Sequence, residues 1–486
     1  MHHRRLTAAL ILAVALSLSF ATPGAATPAQ GVAQSSTLPA SAVGVGNAQV
    51  LSGFPVALAS KKLKKRDKKN WRRTFKPSSG VTFNSALGKG PDKQRINRKV
   101  INLIEASRSG TQIRIMSWNL MSRPVVAALL KAQRRGAVLR ILMAEENAEA
   151  IDNEVWRELL AGMAATNLKK PASKQSWGKT CVASCRGTSG QAHSKFFLFS
   201  KVGRAKHVFV QGSANLTTAA AVNQWNDIYT SVNRKKPYQF ARRIFDEMAN
   251  DVPVANPYRE WKGKNSHIIF SPLIGEGAKD PVLRVLRMVK CRGAKNTASG
   301  RTQIRIAPDV IRNARGLRIA NKLRSLWEKG CDIRIGYTVM GVDVGKALRA
   351  KGGRGPIPLR HLVVDKNGDG EFDKYFHLKA MSVVGHVKKD KRNHVVLNGS
   401  ANWSGMGAAS DENTGIYWDK KLTKQYAEHI DYWFDNFPKS ASRRSMAGDG
   451  IWGRVDPRPI HTPDTLMFEG EELIPGVDPY ARMDLD

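Results

Sequence analysis

The chain has 486 residues, of which 42% are hydrophobic, so its length admits one large domain or two of medium size and excludes a single small one. A formal net charge of +38 indicates polyanionic partners. The charge does not distinguish nucleic acid from an anionic lipid surface or a phosphate-rich wall polymer.

The first 26 residues have the pattern of a secretory signal peptide. Arg4 and Arg5 precede an apolar run over residues 8–20, and small residues follow at positions 24–26. The run is shorter than the roughly 20 apolar residues that a membrane-spanning helix needs, so an uncleaved anchor is the weaker alternative. We expect cleavage near Ala26 and a secreted mature protein that is a monomer.

Residues 27–80 are predicted to form a flexible, basic leader. Residues 27–60 are rich in Ala, Gly, Ser, Thr and Pro, and the stretch from Lys61 to Lys76 carries ten basic residues against Asp67. Such a run is typical of a solvated arm, although Trp71 and Phe75 inside it leave contact with a membrane or nucleic acid open. We expect regular structure to begin near Val81.

A repeated series of elements predicts two similar halves, at residues 81–255 and 256–440. The string Thr-Gln-Ile-Arg-Ile occurs in both, and each copy reads as a strand followed by a helix, a glycine and a second strand. The paired segments are 111–115 and 302–306, 125–135 and 317–329, and 136–141 and 330–335. We therefore predict a duplicated α/β unit whose two copies pack together.

Each half continues with a His-x-Lys pattern, at His193 and Lys195 and again at His377 and Lys379. Residues i and i+2 of a strand point to the same face, so each pair can address one site. Apolar residues follow both pairs, which favours a buried strand. A third copy, His386-Val-Lys388, has no counterpart in the repeat and is predicted to lie in a solvated loop.

A Gly-Ser-x-Asn pattern follows each His-x-Lys pair after about twenty residues. It places Ser213 and Asn215 in the first half, and Ser400 and Asn402 in the second. Glycine allows a close backbone approach, while serine and asparagine offer donors to phosphate oxygens. Trp403 is a candidate substrate contact or a core residue. Acids further along the chain are candidates for orienting the histidines: Asp227, Asp411 and Glu412.

Two His-x-Lys patterns, each followed by Gly-Ser-x-Asn, resemble the phospholipase D superfamily. The strand at 330–335, the loop at 365–373 and the Gly-Ser-Ala-Asn-Trp-Ser segment are similar to secreted phospholipase D-like proteins of actinobacteria. The resemblance covers about residues 81–437. It implies an α/β fold with two mixed β-sheets flanked by helices, related by a pseudo-twofold axis, with one shared active site.

The resemblance also implies a mechanism without a required cofactor or metal. One histidine attacks phosphorus and forms a phosphohistidine, and the other protonates the leaving alcohol and then activates water. In that superfamily the N-terminal histidine is usually the nucleophile, so the resemblance implies that His193 is the nucleophile and His377 the general acid and base. The lysines and asparagines would bind the phosphate oxygens. The family's aspartate five residues after each lysine is replaced by Ser200 and Val384.

The four cysteines form an even set, which favours disulfides in an exported protein. Three pairings are open, and the preferred one joins Cys181 to Cys185 and Cys291 to Cys331, because each bridge then stays within one half. Zinc is the weaker alternative, since the cysteines lack paired C-x-x-C spacing.

The segment from Asp365 to Asp373 matches the opening of a calcium loop, with oxygen ligands at alternate positions and a turn glycine. The candidate ligands are Asp365, Asn367, Asp369 and Asp373. The bidentate glutamate expected at position twelve is replaced by Phe376, so an ordinary turn rich in Asp and Asn is the alternative. A bound calcium would have a structural role in placing His377.

Three functions remain open. A phospholipase D would hydrolyse phospholipid head groups, and a nuclease of the same superfamily would use the same residues. An inactive polyanion-binding protein is the third, because the motif aspartates are absent. In each case the partner is a phospholipid or nucleic-acid phosphodiester, or an anionic surface bound through basic charge. The tail, residues 441–486, carries no motif.

Overall fold

The structure is a computed structural model that describes residues 65–149, 152–273 and 279–438. The predicted signal peptide, the leader up to residue 64 and the predicted tail at 441–486 lie outside the described residues. Within those three ranges, the helices are too short or too polar to cross a bilayer.

The first half consists of eight strands and eight helices within the described ranges. The strands are β1 (Gly80–Phe83), β2 (Gln112–Met116), β3 (Val138–Ala144), β4 (Trp177–Cys181), β5 (Phe196–Val202), β6 (Ala205–Gly212), β7 (Gln224–Trp225) and β8 (Asp227–Ser231). The helices are α1 (Lys65–Thr74), α2 (Gly90–Lys93), α3 (Arg95–Glu105), α4 (Arg123–Arg134), α5 (Glu146–Glu149), α6 (Glu154–Asn167), α7 (Thr218–Val222) and α8 (Lys235–Met248).

The second half is richer in short strands. Its strands are β9 (Arg259–Lys262), β10 (Ser266–Phe270), β11 (Val289–Lys290), β12 (Gln303–Pro308), β13 (Val310–Ile311), β14 (Asp332–Tyr337), β15 (Val339–Met340), β16 (Leu359–His361), β17 (Val363–Val364), β18 (Lys374–Phe376), β19 (Lys379–Val387), β20 (Asp390–Gly399) and β21 (Asn413–Tyr417). Its helices are α9 (Pro281–Arg287), α10 (Asn313–Glu328), α11 (Val342–Arg349), α12 (Gly405–Ala409) and α13 (Lys420–Asn436).

The two large sheets have the same strand order. The first runs β1-β8-β6-β5-β2-β3-β4, and the second runs β10-β21-β20-β19-β12-β14-β16, with β9 added beside β10 and β11 beside β19. In each sheet the last three strands are parallel and the others are antiparallel. The predicted mixed α/β fold is confirmed, and the strand order agrees with two similar units.

Three apolar clusters organise the packing around these sheets. One packs the outer face of the first sheet against α3, α4 and α6, and a second packs the outer face of the second sheet against α9, α10 and α11. A third joins both halves and contains apolar residues of α8 and α13. Strand β5 shows the alternation that this requires, since Phe196 and Leu198 face the shared core while Phe197 and Phe199 face the first outer one.

The repeated elements predicted from the sequence are confirmed within one or two residues at most boundaries. Strands β2 and β12 cover the two copies of the repeated string, α4 and α10 the predicted helices, and β3 and β14 the second strands. Each first strand pairs in parallel with its second strand through the helix between them, as in a βαβ unit. These crossovers fix the pairs of strands on which the site is built.

Two local predictions differ from the structure. Regular structure begins before Val81, because helix α1 lies in the expected solvated arm and packs Trp71 and Phe75 against the first outer core. The prediction that the third His-x-Lys copy lies in a solvated loop is wrong for His386. This residue is buried in β19, and its Nδ1 lies 3.0 Å from the carbonyl oxygen of Arg292. Its strand continues to Val387 because the apolar pattern of β19 extends further than expected.

The cysteines form the preferred pairs, Cys181 with Cys185 and Cys291 with Cys331. Among the described residues, the single group of three metal-ligand side chains is Cys181, Cys185 and Asp251. Since both of these cysteines are oxidised, that group offers no thiolate to a metal, and the zinc alternative is wrong.

Candidate active site

The first His-x-Lys pair lies immediately before β5. Nδ1 of His193 is 2.8 Å from Oε1 of Glu412, a residue of the second half, and the other oxygen of Glu412 accepts a hydrogen bond from the Ser400 hydroxyl. Nζ of Lys195 donates to the carbonyl oxygen of His193 at 2.6 Å. The Glu412 carboxylate requires a proton on Nδ1, which leaves Nε2 of a neutral His193 with a free lone pair.

The second pair lies at the start of β19 and is held in a different way. Nδ1 of His377 is 2.7 Å from Oδ1 of Asn226, a residue of the first half. The same oxygen of Asn226 also accepts a hydrogen bond from the Ser213 hydroxyl at 2.8 Å. Nζ of Lys379 donates to Oδ2 of Asp309 at 3.0 Å and to the carbonyl oxygen of His377 at 3.0 Å. Nε2 of His377 lies 3.8 Å from the same oxygen of Asp309.

Each histidine is therefore oriented by a side chain from the opposite half. The amide N–H of Lys195 also donates to Oδ1 of Asn413 at 2.6 Å, and the amide of His193 donates to the carbonyl oxygen of Asp411 at 3.0 Å. Because these contacts cross between the halves in both directions, the structure brings the two His-x-Lys pairs into one site.

Burial governs the protonation of this site. It lowers the pKa of His193 to about 4, although Glu412 acts in the opposite direction. Burial and the charges of Lys379, Lys195 and His193 lower the pKa of His377 well below its usual value. The pKa values of Lys195 and Lys379 are also lowered by burial. A phosphate anion would reverse part of this effect, because it places a negative charge among buried cationic groups.

The two Gly-Ser-x-Asn segments contribute in two ways. Ser213 and Ser400 hold the side chains that orient the histidines, since their hydroxyls donate to Asn226 and Glu412. Asn215 and Asn402 each carry an amide oxygen that is buried without a hydrogen-bond partner. A phosphate oxygen needs a donor, so the Nδ2 groups of these asparagines, and not the buried oxygens, are the atoms suited to bind it.

Of the acids predicted to orient a histidine, only Glu412 does so. Asp227 accepts hydrogen bonds from Asn398 at 2.6 Å and from the Tyr426 hydroxyl, and burial raises its pKa. The prediction for Asp227 is wrong because Asp227 begins β8, whereas the residue before that strand, Asn226, reaches His377.

The prediction for Asp411 is also wrong. Its carboxylate accepts hydrogen bonds from the hydroxyl of Ser184 at 2.7 Å, inside the loop closed by the first disulfide, and from Nε of Arg186 at 2.9 Å, directly after that loop. Its backbone, however, is hydrogen-bonded to Gln191 and His193. Asp411 therefore fixes the chain next to Glu412 and does not contact a histidine ring.

Sequence reasoning missed three residues of the site, namely Asn226, Asp309 and Trp118. The ring of Trp118 packs edge-on against His193 at a centroid distance of 5.5 Å, and Nζ of Lys195 lies 5.6 Å from that ring. The repeat contained a signal for all three. Asn226 and Glu412 directly precede β8 and β21, and Trp118 and Asp309 each follow the first glutamine of β2 and β12 by six positions.

The positions of the missing motif aspartates have ordinary structural roles. The hydroxyl of Ser200 accepts a hydrogen bond from the amide of Gln112 at 2.8 Å, and Val384 is buried in β19, opposite Gln303. Trp403 is fully buried in the second outer core, so it does not contact a substrate.

The predicted calcium ligands bind their own loop. The carboxylate of Asp365 accepts from the amides of Gly368 at 2.8 Å and Gly370 at 3.0 Å, and that of Asp373 accepts from Lys366 at 2.7 Å. Asn367 donates to Asp369 at 2.7 Å. Calcium binding at this loop stays a prediction.

Residues 100–249 match the family model for the cardiolipin synthase, PLD-like domain. This match covers about a third of the chain, and it lies within the first half. The matched range contains His193, Lys195, Asn215 and Asn226, and the second half of the chain carries the equivalent pattern. A comparison with curated protein sequences found no match.

Several solved structures resemble this chain at low identity. Polyphosphate kinase from Porphyromonas gingivalis is 13% identical over 73% of this chain, with a TM-score of 0.48, and the match spans about half (50%) of that protein. Phosphatidylserine synthase of Haemophilus influenzae is 12% identical over 77% of this chain and 91% of its own, with a TM-score of 0.48. Nuc of Salmonella typhimurium, a phospholipase D family member, is 18% identical over 36% of this chain and 96% of its own, with a TM-score of 0.27.

Proposed function

We propose that this protein is a secreted, monomeric phosphodiesterase that hydrolyses phospholipid head groups through a phosphohistidine on His193. The observation that carries the proposal is the single site of two His-x-Lys pairs, in which Glu412 holds Nδ1 of His193 and leaves its Nε2 free. Two disulfides are in keeping with an exported protein.

The reaction follows from this geometry in two steps. Nε2 of His193 attacks phosphorus and the bond from phosphorus to the head-group oxygen breaks. His377, which carries a proton on both ring nitrogens when the phosphate anion is bound, gives its Nε2 proton to that oxygen. His377 then takes a proton from water, whose oxygen attacks phosphorus and releases His193. Lys195, Lys379, Asn215 and Asn402 bind the non-bridging oxygens in both steps and stabilise the charge of the transition state.

A lipid substrate is favoured by the acidic surroundings of Trp118. Its indole N–H donates to Oε1 of Glu146 at 2.6 Å, and Glu146 lines a cavity of about 480 Å³ together with Glu145 and Glu149. Carboxylates beside the site attract a cationic head group such as choline, and they repel the neighbouring phosphates of a nucleic acid strand.

A nuclease is the second candidate, favoured by the net charge of +38 and by a basic cleft. The cleft has a volume of about 470 Å³ and lies beside the first residues of β20, whereas the site lies beyond the last ones. The residues that line it include Lys264, Lys388, Arg392 and Lys420. A polyanionic strand could bind there through its phosphates.

Choline release from phosphatidylcholine vesicles tests the proposal. The mature protein in EDTA should release choline, and His193→Ala and His377→Ala should each abolish release. His394→Ala is the matched control, since His394 lies at the remote basic cleft and should leave the rate unchanged.

The same samples should be incubated with DNA, and the assay repeated with calcium. DNA cleavage without choline release would replace the proposal with the nuclease. Inactivity of the folded protein on both substrates, with and without calcium, would favour the polyanion-binding protein. Release that occurs only with calcium would contradict the metal-independent mechanism and support a calcium loop.

A further inference from the structure

Trp118 and Asp309 occupy equivalent positions of the two halves but differ in chemistry. Each follows the first glutamine of its central strand by six residues, and each contacts both the histidine and the lysine of its own half. Trp118 offers an aromatic ring, whereas Asp309 offers a carboxylate that is buried beside His377 and Lys379. The second half-site therefore has a negative charge where the first has none.

The partners of Nδ1 differ the other way round, since here the first half-site has the charged group and the second has the neutral one. His193 has the carboxylate of Glu412, whereas His377 has the neutral amide of Asn226. The orientation of that amide is fixed, because its Nδ2 donates to the carbonyl oxygen of Ala220 at 3.1 Å and to Oε1 of Gln224 at 3.0 Å. His377 thus donates its Nδ1 proton to an acceptor that carries no charge.

The surroundings of His377 otherwise oppose its protonation. Burial acts against it first, and the charges of Lys379 and Lys195, and of His193 when that ring is protonated, act in the same direction. Asp227 and Glu412 lie close enough to act on Lys379, but each is committed to other partners. Asp309 also has a partner, since its Oδ2 accepts from Nζ of Lys379 at 3.0 Å, but the same oxygen lies 3.8 Å from Nε2 of His377.

We propose that Asp309 is a positioning residue that stabilises the Nε2 proton of His377 when the substrate phosphate is bound, and so makes His377 the proton donor to the leaving oxygen. This inference rests on the proposed phosphodiesterase activity. A separation of 3.8 Å allows an ion pair but exceeds a hydrogen bond, so the proton stays available to the substrate. In the first step the proton passes to the leaving alcohol as the phosphorus–oxygen bond breaks. In the second step His377 regains a proton from water, and Asp309 again stabilises the imidazolium.

The test compares two substrates that differ only in the leaving group. Phosphatidylcholine releases an aliphatic alcohol, which needs a proton, whereas phosphatidyl-p-nitrophenol releases a phenolate, which does not. For Asp309→Asn we expect kcat/KM to fall about 100-fold or more on phosphatidylcholine, within the range of general acid catalysis. On the p-nitrophenyl ester the same variant should lose less than about threefold, since that reaction does not use the acid.

A matched variant acts on the other nitrogen of the same ring. Asn226→Asp places a carboxylate on Nδ1 without changing Asp309, so it should move the alkaline limb of the phosphatidylcholine pH profile to higher pH. Asp309→Asn should move that limb to lower pH, because the imidazolium loses its counter-charge. The double variant should recover part of the lost phosphatidylcholine activity.

Equal losses on both esters in Asp309→Asn would overturn the inference, because a purely structural role affects both substrates alike. If that variant does not fold, an unchanged alkaline limb in Asn226→Asp would overturn it as well. Failure of the parent protein to hydrolyse either ester would instead refute the proposed function, so the two failures are distinguishable.

Discussion

At the residue scale, the site is defined by what each histidine nitrogen contacts. His193 is neutral at physiological pH because burial lowers its pKa to about 4, so protonation does not compete with the nucleophilic role that we propose for it. When its Nε2 forms a bond to phosphorus, the ring becomes positively charged. The carboxylate of Glu412, 2.8 Å from Nδ1, then stabilises that charge inside the protein.

Replacement of Glu412 by Gln tests this role. Glutamine can still accept a hydrogen bond from Nδ1, but it does not offset the charge of the phosphohistidine. We expect kcat for choline release to fall by roughly 10- to 100-fold, as for other partners of a reactive group, with little change in KM. Glu428→Gln, an exposed position on α13, is the control. A rate within twofold of the parent would contradict the role of Glu412.

At the scale of elements, the site is built where strands begin or end. The His-x-Lys pairs precede β5 or begin β19, and the side chains that orient the histidines directly precede β8 and β21. The first disulfide follows the same rule, because Cys181 is the last residue of β4. The loop that this disulfide closes supplies Ser184 to Asp411, beside Glu412, and Arg186 follows directly after the loop.

The two disulfides should therefore have different effects when replaced by serine. Loss of Cys291–Cys331, which spans 40 residues, should lower the free energy of unfolding by about 4 kcal/mol, and loss of Cys181–Cys185, which spans 4, by about 2 kcal/mol. Activity should show the reverse order. Ser184 in the shorter loop contacts Asp411 beside Glu412, whereas Cys291 and Cys331 lie near the starts of β12 and β14, at the opposite end of β12 from Asp309. Urea unfolding and choline release would measure both effects, and equal activity in the two double variants would contradict the second expectation.

At the scale of the molecule, the two halves form one body around a shared core and a buried polar interface. Residues of both halves fill the shared core, including Phe196 and Phe270, whose rings lie 5.0 Å apart. The ion pair of Arg186 with Asp411 is fully buried between them. Either charge would be costly to bury without its partner. The pair therefore makes correct docking of the two halves a condition for stability.

Arg186→Met should lower the free energy of unfolding by roughly 3–5 kcal/mol, because the buried Asp411 loses its charged partner. Arg123→Met is the matched control, since Arg123 pairs with Glu154 and Glu158 on the exposed surface and should leave stability nearly unchanged. Chemical denaturation monitored by tryptophan fluorescence measures both. A loss below about 1 kcal/mol for Arg186→Met would contradict a buried, uncompensated charge.

The sequence by itself determined the repeated α/β elements, both His-x-Lys pairs, both Gly-Ser-x-Asn segments and the preferred cysteine pairs. These follow from local periodicity and spacing, which a repeat makes visible twice. Among the acids, local pattern did not separate Glu412 from Asp411 or find Asn226 beside Asp227, because a shift of one residue reverses the face of a strand.

Only the tertiary structure decided how the halves share the site. Glu412 serves the histidine of the first half and Asn226 that of the second, across about 150 to 220 residues of chain, and such contacts leave no local periodicity. The same holds for Asp309, whose partners lie about 70 residues away. The residues that make the half-sites chemically different are written in the sequence, but packing of the two sheets around one core decides which histidine each of them contacts.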